Sequence, residues 1–222
     1  MKDYIELTKP RITWLIVLSA GVGYYFGSAG RWDLARLLHT FLGTAWLASG
    51  TAALNQWYER EADARMQRTR NRPLPSGRVT PWRALVFGLV ISLAGFLELW
   101  LGATPLAALC GLATLLIYLL AYTPLKPRTP HATAVGAIAG AMPPLMGYAG
   151  ACGTLGPPAW VLFAILFLWQ FPHFLAIGWL YRDDYGRGGI RMLPVVDIDG
   201  KRTVRQILTG SLLLVPASLA PA

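Results

Sequence analysis

Two stretches of this chain carry residues able to do chemistry. The first, Asn55–Arg72 (NQWYEREADARMQRTRNR), spaces Asn55, Glu59 and Asp63 four apart among arginines. The second, Tyr181–Arg191 (YRDDYGRGGIR), holds Asp183 and Asp184. On a helix each step of four drifts by only about 40°, so the three oxygen-bearing side chains of the first stretch share one face over about 12 Å. One reading is a solvated helix end with ordinary surface acids. The other is a set of hard oxygen ligands for Mg²⁺, which commonly binds through a few carboxylates plus substrate phosphates. Asp183 and Asp184 would supply the opposing half. Acids gathered without a cation repel one another, so a divalent ion explains the arrangement better than packing does. Arg65, Arg68 and Arg72 lie beside the acids, and arginine forks match phosphate oxygens bidentately. Lys126 and Arg128 would close such an anion pocket from the side. Magnesium and arginine around a diphosphate stabilise charge on a leaving group and lower the barrier to breaking a carbon–oxygen bond. Lys9, just before Pro10, reads as an interfacial anchor rather than a catalytic group.

The elements that position these residues are membrane helices. The chain is 55% hydrophobic and 14% charged, against roughly 25% charged in a soluble domain. Nine Trp, nine Tyr and 23 Gly suit helices with aromatic ends and tight packing. Apolar segments at 12–29, 34–54, 84–101, 104–122, 131–149, 158–180 and 206–222 match the ~20 residues a bilayer requires. The expected fold is therefore an all-α, multi-pass transmembrane bundle forming one domain over 1–222. The polar start Met1–Arg11 argues against a cleavable signal. The last segment ends at Leu219-Ala-Pro-Ala222 without a polar cap, as if cut in or after a seventh span. Cys110 and Cys152 lack metal-type spacing and read as structural, with a disulfide neither required nor excluded.

Charge asymmetry sets the orientation. With the N-terminus cytoplasmic, all of the 20 basic residues except Arg31 and Arg36 fall on the cytoplasmic side. The net charge of +9 is then a topology signal, and nucleic acid is not the expected partner. Both acidic stretches and the linker Tyr122–Arg128 share that face, so three loops can enclose one site. The run Arg72-Pro-Leu-Pro-Ser-Gly77 should end any helix before the next span.

The motifs NxWYER, MxRTRxRPLPSG, YTPLKPRT, GAMPPLMGY, WQFPHF and RDDY…MLPV appear in order along the chain. In that series the sequence resembles the UbiA-type intramembrane prenyltransferases, and most closely their haem-farnesylating branch. The resemblance implies a UbiA-type bundle that transfers the farnesyl group of farnesyl diphosphate to a vinyl group of haem B. Water adds in the same overall reaction, giving haem O and diphosphate. It implies Mg²⁺ as cofactor, membrane lipid as surroundings, and haem-synthesis or oxidase-assembly proteins as possible partners. It carries catalytic roles onto Asn55, Glu59, Asp63, Asp183 and Asp184, with Asn55, Glu59, Asp63 and Asp184 as metal ligands. Arg65, Arg68, Arg72, Lys126 and Arg128 would bind the diphosphate. The chain departs from the superfamily pattern at Glu59, where aspartate is common, and at Gly188, where a second acid usually follows Asp184. The family has about nine spans, and this chain reaches the seventh.

His173, in Gln170-Phe-Pro-His-Phe174, is a polar imidazole within an apolar span, a functional candidate by default and a good axial ligand for iron. It equally suits a hydrogen bond to another helix. Gln170, one turn away, shares either role, and His131 fits an interfacial position near a haem propionate or the diphosphate. Tyr118, Tyr122 and Tyr181 can flank a cationic prenyl carbon, although tyrosines are expected at membrane ends anyway. Gly23/Gly27 and Gly136/Gly140 permit close helix contacts, and Met142-Pro143-Pro144 should interrupt the fifth span near a cavity. The alternatives are a related enzyme with an aromatic or quinone-precursor acceptor, a transporter, or an assembly partner. The absence of a clear internal repeat weighs against the transporter.

Overall fold

Prolines fix where helices begin. A computed structural model describes residues 1–220. Its helices are α1 (Lys2–Leu7), α2 (Pro10–Ser28), α3 (Leu34–Arg65), α4 (Pro81–Glu98), α5 (Pro105–Leu116), α6 (Thr123–Leu125), α7 (Ala132–Ala141), α8 (Pro143–Cys152), α9 (Pro157–Leu180), α10 (Arg182–Arg187), α11 (Leu193–Val196) and α12 (Lys201–Leu219). Proline opens α2, α4, α5, α8 and α9, where its missing N–H costs nothing and its fixed φ suits the first turn. Side-chain caps add to this: Asp33 accepts from the Arg36 N–H, and the Thr104 hydroxyl from the Ala107 N–H. Gly153 ends α8 at φ 73°, a conformation that favours glycine.

The stretches Pro81–Ala103, Pro105–Leu125, Ala132–Cys152 and Pro157–Leu180 are long and apolar enough to cross a bilayer. The expected segments 12–29 and 34–54, and the described part of 206–222, also lie largely in helices, but in more polar ones. α3 carries its charged motif within the same helix, and α12 opens on Lys201 and Arg202. Positions 221 and 222, and with them the expected cut at the chain's end, lie outside the described residues.

α3 packs between α2 and α4, α2 packs on α8, α9 joins α7 to α12, and α5 fills the space beside α8. Small residues set these distances. A Cβ at Gly95 would stand 2.8 Å from the Gly43 carbonyl, and one at Gly27 would stand 2.7 Å from that of Tyr148. The expected Gly23/Gly27 contact is thus made to α8. Gly136 instead admits the ring of Tyr122, and Gly140 the carboxamide of Gln170. Leu47, Leu99, Cys110, Leu145 and Met146 form the main core cluster. Large apolar side chains such as Trp14, Leu93, Leu101 and Leu212 face outward, where lipid would cover them. Both cysteines are free, Cys110 buried and Cys152 exposed.

Two features were not legible from hydropathy. α4 and α5 both continue as π-helical turns, Leu99–Ala103 and Ile117–Tyr122. The second turn carries Tyr118 and Tyr122, whose ring centroids lie 5.0 Å apart, to the site. The expected break at Met142-Pro143-Pro144 is present as the α7–α8 junction, and Pro143 lines the central cavity.

Candidate functional site

Good helix formers (Glu59, Arg60, Glu61, Ala62, Ala64, Arg65) carry α3 past its apolar part, so Asn55, Glu59 and Asp63 stand on one continuous helix. Their shared face turns inward. Asn55 and Asp63 are buried, and the Glu59 side chain is 13% exposed. Asn55 Nδ2 donates to Glu59 Oε2 at 3.0 Å and to Thr123 Oγ1 at 3.4 Å.

Each member of this row meets a cation from elsewhere in the chain. Lys126 Nζ lies 2.8 Å from Glu59 Oε1, and 4.4 Å from the centroid of the Tyr122 ring. Arg72 Nη1 lies 2.7 Å from Asp63 Oδ2. Lys9 Nζ donates to Asn55 Oδ1 at 3.3 Å. Lys9 is therefore part of the site, correcting its reading as an interfacial anchor. The structural reason is its backbone: at φ 47° and ψ 62° it joins α1 to α2 in the left-handed region. A lysine there costs about 1 kcal/mol or more, and such strain persists where the surroundings impose it.

The field around these groups is strong. Burial, and next the Arg72 charge, lower the Lys9 ammonium to a pKa of about 7. Burial works against ionised Glu59, yet the Lys126 charge and hydrogen bond, Lys9 and Asn55 hold it below the usual carboxylate range. Burial likewise opposes the charge on Lys126, but Tyr122 and Glu59 hold it above the ordinary lysine value. The acids are thus neutralised by lysines and an arginine. Cationic side chains, beside the divalent ion suggested by the sequence, therefore also account for the gathering of these acids. Among the described residues, no three His, Cys, Asp or Glu side chains stand together as an ion-holding group.

The second acidic stretch is used differently. Asp184 accepts from the backbone N–H of Gln67 at 2.7 Å, from that of Arg68 at 3.1 Å, and from Arg187 Nη2 at 2.7 Å. These bonds tie α10 to the loop after α3. Burial opposes its charge, but Arg187 and the two amides hold its carboxyl below the usual range. Asp183 is not brought to the row: its side chain is 86% exposed, beside Arg182. The expectation that both aspartates face the first motif is corrected, because successive residues on one helical turn point in different directions.

The basic residues divide as well. Arg72 and Lys126 enter the row. Arg68 leans over the rings of Tyr181 and Tyr185 at 5.4 and 5.6 Å. Arg65, Arg128 and His131 are exposed. His173 also lies on an exposed face of α9, stacked on Trp169 with ring centroids 4.4 Å apart, whereas Gln170 turns inward and donates to the Ala137 carbonyl at 2.9 Å. Of the expected haem-facing group, the structure brings Gln170 alone into the bundle.

Beneath the charged row lies a cavity of about 160 Å³ bounded by α2, α3, α5, α7 and α8. Lys9 and Tyr118 stand at its charged end, and its walls are otherwise mostly apolar. Cations thus stand at one end of the cavity and apolar walls along the rest of it. That defines a class: a polytopic helical protein with a buried, charge-paired row set over an apolar cavity between its helices.

The UbiA prenyltransferase family model matches residues 16–222. The chain belongs to the UbiA prenyltransferase family. It is 60% identical over 231 residues to the protoheme IX farnesyltransferase of Solibacter usitatus (strain Ellin6076), covering 100% of this chain and 79% of that protein. It is 48% identical to the protoheme IX farnesyltransferase of Koribacter versatilis (strain Ellin345), covering 100% of this chain and 72% of that one. Among solved structures, digeranylgeranylglyceryl phosphate synthase superposes with a TM-score of 0.79 at 20% identity, over 99% of this chain and 76% of its own. A UbiA homolog from Archaeoglobus fulgidus bound to DMAPP and Mg²⁺ gives 0.75 at 17%, over 97% and 76%.

Proposed function

We propose that this chain transfers the farnesyl group of farnesyl diphosphate to a vinyl group of haem B, with addition of water, giving haem O and diphosphate. The carrying observation is the row Asn55–Glu59–Asp63 with its cations Lys9, Lys126 and Arg72, set directly over an apolar cavity. The likeness to protoheme IX farnesyltransferases supports the choice of donor and acceptor.

The cations receive the diphosphate, and the cavity holds the tail away from water. The carbon–oxygen bond of the donor breaks with its electron pair on the diphosphate, beside Lys9, Lys126 and Arg72. The vinyl π electrons of haem B bond to the freed allylic carbon. Water then adds to the resulting cation and loses a proton. The rings of Tyr118 and Tyr122 flank this region and favour positive charge. Asn55, Glu59 and Asp63 are hard oxygen donors on one face and would hold Mg²⁺ together with the diphosphate. When bound, the ion would neutralise charge on the leaving group.

Asp184 serves by holding α10 against the loop that carries Arg68 and Arg72. Arg65, Arg128 and Asp183 are exposed and stand outside the row. Gln170 borders the cavity behind Gly140, and His131 and His173 offer outer positions to the haem. The protein acts as one transmembrane domain of the bacterial inner membrane, N-terminus and charged site facing the cytoplasm, as the distribution of basic residues favours.

The test is incubation of the detergent-solubilised protein with haem B, farnesyl diphosphate and Mg²⁺, read by porphyrin mass with an EDTA control. A magnesium-dependent product carrying farnesyl plus water is expected. A haem-binding preparation that yields none would overturn the reading and direct attention to aromatic acceptors.

A further inference from the structure

The cavity has a definite depth. Its lining steps away from the charged row in parallel on every wall: Ala52 to Thr44 on α3, Lys9 to Ile16 on α2, Tyr118 to Gly111 along α5, and Ala139 to Met146 across α7 and α8. At its far end stand Thr44, Leu47, Gly111 and Met146. This floor is closed. Leu47 and Met146 are each 3% exposed and belong to the main core cluster. A Cβ added to Gly111 would lie 3.0 Å from the Met146 methyl and closer still to Leu47. Thr44 is fully buried there, and its hydroxyl has no hydrogen-bond partner in the protein.

Helix geometry gives the depth. Along α3, at ~1.5 Å per residue, the floor runs from Leu47, about 12 Å below Asn55, to Thr44, about 16 Å below it, and Ala48 lies about 10 Å below. An extended chain advances ~1.2 Å per bond, so three isoprene units reach about 14 Å and four reach about 19 Å. Two units reach only about 10 Å by the same measure. With the donor's polar end anchored at the level of Asn55, a three-unit tail of about 14 Å ends within the floor, whereas a four-unit tail of about 19 Å overruns it.

We infer that the floor formed by Thr44, Leu47, Gly111 and Met146 is the chain-length determinant for the donor, admitting three isoprene units and excluding four. The inference rests on the prenyl-transfer reading above and adds the residues that measure the tail. Met146 and Leu47 act as the stop because extending the tail past them requires displacing side chains already packed on one another.

The experiment is competition binding of uncleavable thiolo-diphosphate analogues with two, three and four isoprene units, together with donor kcat/KM in haem farnesylation. The wild-type protein should favour three units over four by about tenfold or more, the scale on which a pocket rejects extra methylenes. Met146→Ala should narrow that gap to within about threefold. Ala48→Phe, which fills the channel at two-unit depth, should move the preference to the two-unit analogue. Inorganic pyrophosphate must still bind both variants as it binds the wild type, establishing that they are folded. Unchanged selectivity in both folded variants would overturn the floor assignment. Tail selectivity that follows the variants without any farnesylated haem would uphold the floor and overturn the acceptor instead.

Discussion

The two acidic stretches are written in nearly the same alphabet, yet the fold uses them for different work. In the first, Asn55, Glu59 and Asp63 are one helical repeat apart, so one face of α3 delivers all three inward. Their partners Lys9, Lys126 and Arg72 come from three separate loops. In the second, Asp183 and Asp184 are neighbours, and a helical turn sends one into solvent and the other onto backbone amides. The residue type sets what a carboxylate can do. Burial and spacing decide whether it faces a ligand or holds a loop.

The largest test of this contrast is Glu59→Gln. It leaves Lys126 without its counter-charge at the mouth of the cavity. Farnesyl transfer should fall about 10²–10³-fold, the scale for losing a preorganised charged group at a leaving-group site. Membrane insertion should be unaffected, and turnover within a few-fold of wild type would erase the distinction between the stretches. Asp184→Asn should behave otherwise. It weakens bonds to the Gln67 and Arg68 amides, costing about 1–2 kcal/mol of local stability. Faster hydrogen exchange at those amides is expected, with a drop in kcat of less than about tenfold, since the acid acts only through the loop.

The pH dependence of that tie follows from its sign. The Asp184 carboxyl is held lower in the folded protein than in the unfolded chain. Its contribution is fully present above the unfolded value near ~3.9 and is lost as pH falls through the folded one. Amide exchange at Gln67 and Arg68, corrected for its intrinsic rate, should therefore accelerate only below about pH 4. Protection that fades nearer neutrality would mean another group holds α10. The smallest effect is expected for Asp183→Asn, within about ±0.5 kcal/mol in stability and about twofold in turnover. A large loss there would return Asp183 to the catalytic set and make the two stretches equivalent after all.

Much of the architecture was legible in the amino-acid order. Hydropathy marked the helical segments, prolines marked their starts, and the four-residue spacing put Asn55, Glu59 and Asp63 on one face. These signals are local: each depends on the period of a helix or on a backbone restriction at a single residue. The ordered motifs carried the family as well. What the order left open were the partnerships. Lys9 looked like an anchor because its role depends on a left-handed turn that no pattern announces. His173 stood as a haem candidate or a bond to another helix, and the order of residues did not foretell its stacking on Trp169 on an exposed face of α9.

The sequence by itself determined that this is a helical membrane protein, where its acids and bases lie, and the family that its ordered motifs resemble. Tertiary structure alone decided which base meets which acid, which aspartate is spent on holding a loop, and how deep the channel runs. The reason is physical. Composition and periodicity act within a single element, whereas ion pairing and cavity depth are set where several helices meet, at distances fixed by the small residues between them.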